Sequence, residues 1–432
     1  MILSVPSSSD LIVETENELC DDDSDSTISN AKYDERSNHL QGKFSTRLTR
    51  LLRHELIDKF TPKYCVSVMG TGISANILYN FPYPAEWLKV CGIVMFGIAS
   101  FLFVATTIML VTCCCIHKER LYLYHVDHTV SVYTGSFVMG YITIVNFLNT
   151  IIGEDHPILV WGLWWVAVAF SIYTTTIVVF FSYLSKVNKK FDLHDLDATI
   201  LLPIVPVTVL SSCGHLITPN LSSLGDKVVT EIFCLMLWCL SIVLAFISIT
   251  IYFYRLIIYK IPSTDIVFSS WLPIGFLGQS SYSILLFGAN MHQLIPNPYL
   301  GNSLLVVGCL AAIFLLSFGY FMVFVAVISL FTKIKPFAKT PNAQYVNRHG
   351  FITWNKDWWA ITFPCGTMSL SNFEISKGLV GNYELKFFKV MSCAFAVGLF
   401  LITITSLIGI IIFILKKFTG ILSRNKPFLN VD

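Results

Sequence analysis

Nine polar side chains sit inside otherwise apolar stretches of this chain: Thr71, Ser74, Ser136, Ser211, Ser212, Gln279, Ser280, Thr367 and Ser369. They share those stretches with glycines and prolines, namely Gly70, Gly72, Gly135, Pro203, Pro206, Pro273, Gly278, Pro364 and Gly366. No Lys, Arg, Asp or Glu lies between the ends of the stretches. That removes tight ionic binding of an anion, and it removes a carboxylate to carry a proton or sodium. Hydroxyls, an amide and backbone N–H groups freed at helix breaks each stabilise an anion modestly, as do helix-end dipoles. Weak sites of this kind suit conduction, because an ion has to leave a site as well as enter it. The plainer reading of each hydroxyl is a bond to a helix carbonyl or to a neighbouring helix. Against it, for the group, stands the confinement of this polarity to alternate elements. His215 reads as a sensor of external pH or as a structural group at an outer mouth. Asn76, Asn146 and Asn372 read as interhelical hydrogen-bonders.

The elements that must position these groups are membrane helices. Of 432 residues, 54% are hydrophobic and only 13% charged, about half the charge of a soluble domain. Apolar runs predict ten helices at 64–81, 87–115, 128–150, 158–184, 201–217, 227–254, 267–290, 300–331, 357–373 and 385–415. The even ones are long, smooth and free of interior Pro, which suits lipid. The odd ones are shorter and interrupted by Gly and Pro. Interrupted backbone is tolerated at membrane depth only inside protein or along a wet cavity. The expected fold is therefore an all-α integral membrane protein of five helical hairpins, with odd helices inside around a pore and even helices outside. The interruptions recur: Gly70, Gly135, Pro203 and Pro273 are spaced by 65, 68 and 70 residues, and Pro364 follows 91 later. Every odd helix then runs the same way, unlike an inverted repeat.

Four regions follow: a disordered acidic tail over 1–43, an amphipathic pre-membrane helix over 44–63, a transport domain over 64–415 and a short tail over 416–432. The first tail holds ten acidic against three basic residues, a composition that does not bury a core. No cleaved signal peptide is evident. With the N-terminus in the cytosol, inside loops and tail carry 16 Lys and Arg against five outside, so both termini are expected in the cytosol. Asn220 then offers an outside Asn-Leu-Ser glycosylation acceptor. Cys113, Cys114 and Cys115 at a helix end are candidates for S-palmitoylation or plain packing. Net charge of +2 gives no argument for nucleic acid. No metal-ligand spacing occurs, no cofactor is expected, and the phosphate-loop, HExxH and GxSxG patterns are missing. The reading is that of a non-enzyme.

The segments Met69-Gly70-Thr71-Gly72-Ile73-Ser74, Phe81-Pro82-Tyr83-Pro84, Leu202-Pro203-Ile204-Val205-Pro206, Leu277-Gly278-Gln279 and Thr362-Phe363-Pro364 with Gly366-Thr367-Met368-Ser369 resemble the fungal sulfite efflux pumps. These belong to the tellurite-resistance/dicarboxylate transporter (TDT) family, together with the plant slow anion channels. The likeness runs from about Phe60 to Leu415. It implies five hairpins around a central pore, a homotrimer with one pore per subunit, and a Phe of the ninth helix as plug. Phe363 matches that position; from the residues alone it reads equally as packing beside Pro364. The resemblance implies sulfite or bisulfite export at the plasma membrane, conferring sulfite tolerance. Two alternatives stand beside it: a channel or proton-coupled carrier for nitrate, nitrite, chloride or malate, and a membrane receptor or scaffold.

Overall fold

The structure, a computed structural model, describes residues 53, 57–58, 60–185, 193–261, 267–334, 354–378 and 383–423. Contacts divide the chain into Met1–His54 and Glu55–Asp432. Of the first unit only Arg53 is described, so the tail 1–43 and most of the stretch 44–63 lie outside the described residues. In the second unit every regular element among the described residues is helical. The long helices are α1 (Val66–Tyr79), α2 (Glu86–Ile116), α3 (Thr134–Ile152), α4 (Pro157–Tyr173), α5 (Val205–Ile217), α6 (Leu224–Tyr259), α7 (Leu272–Leu294), α8 (Pro298–Ile334), α9 (Trp359–Ser376) and α10 (Lys386–Ser423). α4 continues through π-helical turns at Thr174–Val178 and Phe180–Leu184. α10 runs past the expected end at Leu415, into the stretch read as a tail.

Seven described helices are long and apolar enough to cross a membrane: Glu86–Ile116, His128–Ile152, Pro157–Leu184, Leu224–Tyr259, Val267–Leu294, Pro298–Lys333 and Lys386–Lys416. α1, α5 and α9 fall outside that set, with 14, 13 and 18 residues. A full span takes about 20 apolar residues. Short 3-10 turns at Pro62–Cys65, Ala198–Leu201 and Lys356–Trp358 precede these three.

Sequence neighbours pair: α1 with α2, α3 with α4, α5 with α6, α7 with α8, and α9 with α10. The odd helices also touch in a closed order, α1 on α3, α3 on α5, α5 on α7, α7 on α9, and α9 back on α1. Burial follows that division. The most apolar window of α2 is 11% buried, whereas that of Val267–Leu294, which contains α7, is 94% buried. Small residues let the inner backbones approach without a hydrophobic force between them. A Cβ at Gly278 would lie 2.9 Å from the backbone of Met368, so α7 and α9 touch there with no room for a side chain. A Cβ at Gly72 would overlap Thr143 of α3.

The prolines differ from expectation and require a correction. Pro206 and Pro273 occupy the first turns of α5 and α7, and Pro203 precedes α5. They start helices rather than break them, because a first-turn residue has no intrahelical partner for its N–H anyway. Gly70, Gly72, Gly135, Gly278 and Gly366 all lie within unbroken helix. Only Pro364 is interior, and α9 stays helical across it. Its missing N–H leaves the carbonyl of Ala360, four residues earlier, without an intrahelical partner.

Candidate functional site

Two cavities lie at opposite ends of the odd helices. The first, about 250 Å³, is lined by Val66 and Met69 of α1, Tyr133 before α3, Leu202 before α5, Leu272 of α7 and Ala360 of α9. Each of these residues belongs to a helix start. The second, about 260 Å³, is lined by Ile73 and Asn76 of α1, Thr143 and Asn146 of α3, Val209 and Leu216 of α5, Gln279 and Tyr282 of α7, and Phe363 and Glu374 of α9. These lie further along the same helices. The five helices therefore run parallel, N-terminal ends toward the first cavity. On α1 the cavities are separated by the step from Met69 to Ile73, about 6 Å at 1.5 Å per residue, and on α9 by the step from Ala360 to Phe363, about 4.5 Å. On α3, α5 and α7 the corresponding steps, Tyr133 to Thr143, Leu202 to Val209 and Leu272 to Gln279, are about 10 to 15 Å, so the septum is thin only beside α1 and α9.

Phe363 stands in that septum, 3% exposed. It lies beside Gly275, where a Cβ would come 3.4 Å from its ring. The ring would be in ordinary contact with a side chain there, and the tighter neighbour is the Pro364 ring at 3.2 Å, so α7 and α9 approach closely at Phe363-Pro364.

The N-end cavity carries charge that lies outside the helices proper. Lys63 pairs with Asp357. The Lys356 Nζ donates to the Tyr64 hydroxyl at 2.7 Å and lies 4.2 Å from the centre of its ring. Asp197 accepts the Thr199 N–H at 2.9 Å, and burial pushes its carboxyl above the usual carboxylate range. Five helix N-termini add partial positive charge, roughly half an elementary charge for each long helix. An anion entering this cavity meets donors and positive dipole ends.

The sequence-derived candidates divide. Gln279 and Phe363 line the C-end cavity. The Gln279 amide donates to the Ser212 hydroxyl, which itself bonds the Val209 carbonyl at 2.8 Å. Thr71 and Thr367 bond carbonyls of their own helices, at 2.8 and 3.0 Å. Ser74 reaches Thr403 of α10 at 3.0 Å, and Ser369 reaches Ser392 of α10 at 3.1 Å. Ser211 bonds the Cys234 carbonyl of α6 at 2.8 Å and Ser283 of α7 at 2.9 Å. The hydroxyls of Ser136 and Ser280 are buried without a hydrogen-bond partner, as is the amide oxygen of Asn146.

The remaining candidates lie elsewhere. Asn220 donates to the Asn149 amide oxygen at 3.1 Å. Cys113 is buried against the Tyr124 hydroxyl at 3.5 Å, Cys114 is half-buried and Cys115 exposed. His215 is not at an exposed mouth; it is 1% exposed, and its Nδ1 lies 2.7 Å from Glu231 of α6. Sequence reasoning missed Lys63, Lys356 and Asp197, which stand just before helix starts, and Glu231, which sits in a smooth helix. The signal available for the first three was their position immediately ahead of a Gly- or Pro-bearing segment.

A family profile described as SLAC1, voltage-dependent anion channel, matches residues 59–411. The chain is 48% identical over 382 residues to the Sulfite efflux pump SSU1 of Candida albicans, covering 88% of this chain and 79% of that one. It is 29% identical to the Sulfite efflux pump SSU1 of Saccharomyces cerevisiae, over 74% of this chain and 80% of that one. A protein of the same name from Arthroderma benhamiae is 28% identical over 79% of this chain. The matched span takes in all five N-end first turns, both cavities and the Phe363 septum, and the chain belongs to the SLAC1 family of voltage-dependent anion channels.

Proposed function

We propose that this protein exports sulfite or bisulfite across the plasma membrane through a channel-like pore inside the ring of odd helices. The observation that carries the reading is the pair of cavities on the same five parallel helices, closest to each other beside α1 and α9, where Phe363 stands between them. In this reading ten helices cross the membrane as five hairpins, α1, α3, α5, α7 and α9 inside and the others outside. Both termini and the N-end cavity face the cytosol, in keeping with the bias of Lys and Arg. Cytosolic anion collects among the five first turns, passes Phe363 when the ring swings aside, and leaves past Gln279 and the asparagines. The unpartnered hydroxyls of Ser136 and Ser280 and the Asn146 oxygen hold water along the route, and the hydroxyls bonded to carbonyls set the spacing of its walls. A negative-inside potential drives export. The relatives' name supplies the cargo, and a homotrimer follows the family pattern.

The test is flux. Purified protein in voltage-clamped bilayers should carry sulfite current, and cells lacking the gene should become sulfite-sensitive with slowed efflux. Absence of any anion current, or a deletion strain with unchanged efflux, overturns the reading. Competition among sulfite, nitrate, chloride and malate in proteoliposomes orders the cargo.

A further inference from the structure

The C-end cavity holds more polar groups than its own walls use. It reaches the protein surface, because Asn80, Thr150 and Lys377 line it and are exposed. Most of its polar side chains are bonded to the protein. The Asn76 amide donates to the Gly72 and Thr143 carbonyls at 2.9 and 3.0 Å. Asn149 donates to the Leu216 carbonyl at 3.0 Å and accepts from Asn220 at 3.1 Å. Thr143 and Thr150 donate to carbonyls of their own helix at 2.8 and 3.1 Å. Asn80 likewise donates to the Asn76 carbonyl at 3.3 Å, and Gln279 donates to Ser212.

Two lining groups are left over. Tyr282 of α7 is 8% exposed, and its hydroxyl has no hydrogen-bond partner among the described residues. Asn146 of α3 has its amide oxygen buried without a partner, and its NH2 bonds no described residue either. Tyr282 stands three residues after Gln279, and Asn146 three after Thr143. That spacing puts each pair on one face of its helix, and both faces turn to the cavity. In the ring of inner helices α5 stands between α3 and α7. The two groups therefore address the lumen from separate sides.

Buried polar groups nearly always find partners, and one left unbonded costs stability. A cavity that keeps two such groups among well-paired neighbours has a use for them when it is filled. Charge does not sort anions there. Glu374 and Lys377, the charged lining residues, pair with each other at 2.8 Å and sum to zero. Directional donors do sort them. The phenol offers an O–H. A half-turn of the Asn146 amide brings its NH2 to the place of its oxygen with no backbone movement.

We propose that Tyr282 and Asn146 form an oxyanion-selecting site in the C-end cavity, each donating a hydrogen bond to the anion and favouring a small oxyanion over a halide. The inference rests on the export reading and names the residues that choose its cargo. Each oxygen of sulfite or nitrate takes its own donor, whereas chloride meets every donor at a single point. Donors held on helices that do not adjoin suit the former. A hydrogen bond to a charged group is worth roughly ten- to a hundredfold in affinity. Water competes for the same donors, so the lower end, about tenfold, is expected for one of them.

The experiment measures sulfite, nitrate and chloride flux in proteoliposomes at one fixed pH, for wild type, Tyr282→Phe and Asn146→Leu. The sulfite-to-chloride and nitrate-to-chloride ratios should each fall about tenfold in Tyr282→Phe and fall in the same direction in Asn146→Leu. Tyr282→Phe removes an unbonded hydroxyl, so the anion-free variant should unfold at the wild-type temperature or above it. Ratios that stay at wild-type values in folded Tyr282→Phe overturn the site and leave the export reading standing. A second arm needs no flux. Sodium sulfite should raise the unfolding temperature of purified wild type more than sodium chloride of equal ionic strength does, and Tyr282→Phe should lose that difference. If sulfite stabilises both proteins alike, or stabilises wild type no more than chloride, the site is refuted. If wild type carries no anion while the difference holds, the export reading fails and the oxyanion site stands.

Discussion

Truncation of Phe363 to Ala tests the septum directly. The ring is 3% exposed and is the α9 side chain at the N-end boundary of the C-end cavity. The nearest α9 residue of the N-end cavity is Ala360, about 4.5 Å away along the axis. Swinging the ring out of its site forfeits the burial of one Phe side chain, about 1.5–3 kcal/mol. At about 1.4 kcal/mol per factor of ten, that holds the open form at roughly one part in ten to one in a hundred. Phe363→Ala removes this term, so current per folded protein should rise roughly ten- to a hundredfold, with Phe363→Leu in between. Cavity formation works against folding by about 3–5 kcal/mol for a tightly packed Phe. The cost should fall below that range here, because a cavity already adjoins the ring. The assay is single-channel or stopped-flow flux on protein that elutes as wild type does. Unchanged or reduced current in well-folded Phe363→Ala would refute the septum and return Phe363 to ordinary packing.

Gly278→Ala places a methyl 2.9 Å from the Met368 backbone and should destabilise by about 1–3 kcal/mol, read as lower thermal stability in detergent; unchanged stability would show that α7 and α9 separate freely. Gln279→Leu keeps the volume but removes the amide that donates to Ser212; losing one net hydrogen bond of about 1 kcal/mol should cut anion flux roughly fivefold, and no change would remove Gln279 from the route. Asp197→Asn tests a pH dependence. Burial raises the Asp197 carboxyl, so the folded state holds the proton more tightly than the unfolded chain does. Stability then falls as pH rises from the free value of about 3.9 through the folded one. The variant should be more stable than wild type at neutral pH and lose that advantage in acid; a gain that persists in acid would exclude the carboxyl as its cause.

The alternation of smooth and Gly-bearing segments was legible because lipid and close packing demand different residues. The even helices can be greasy all round, whereas Gly135 and Gly278 sit where a neighbouring backbone leaves no space and Gly72 where the Thr143 side chain leaves none. Helix ends were nearly right for the same reason. Proline was misread because its type marks either an interior kink or a first turn, and only position within the finished helix separates the two. Hydroxyl direction was illegible for a related reason. A buried Ser or Thr satisfies itself on a carbonyl three or four residues back, as Thr71 and Thr367 do. Its presence in a polar helix therefore carries no information about which face it takes. Glu231 escaped notice because one carboxylate in a smooth 36-residue helix resembles a helix-end residue until His215 and Asn290 are seen against it.

The scarcity of fixed charge between the helix ends has a further consequence. A lysine inside the ring would hold an anion strongly and slow its release. In the proposed arrangement, attraction is placed at the N-end cavity instead, where five dipole ends, Lys63 and Lys356 gather, and where Asp197 and Asp357 moderate it. The septum itself contributes only an apolar barrier through Met69, Ile73 and Phe363. Attraction and barrier are thus carried by different residues and can change independently. Substitutions at Lys63 or Lys356 should alter the concentration dependence and salt sensitivity of flux, while substitutions at Phe363 should alter its maximum. A carrier that bound its cargo at the septum would link the two, so the separation of these effects distinguishes a channel-like route from a carrier.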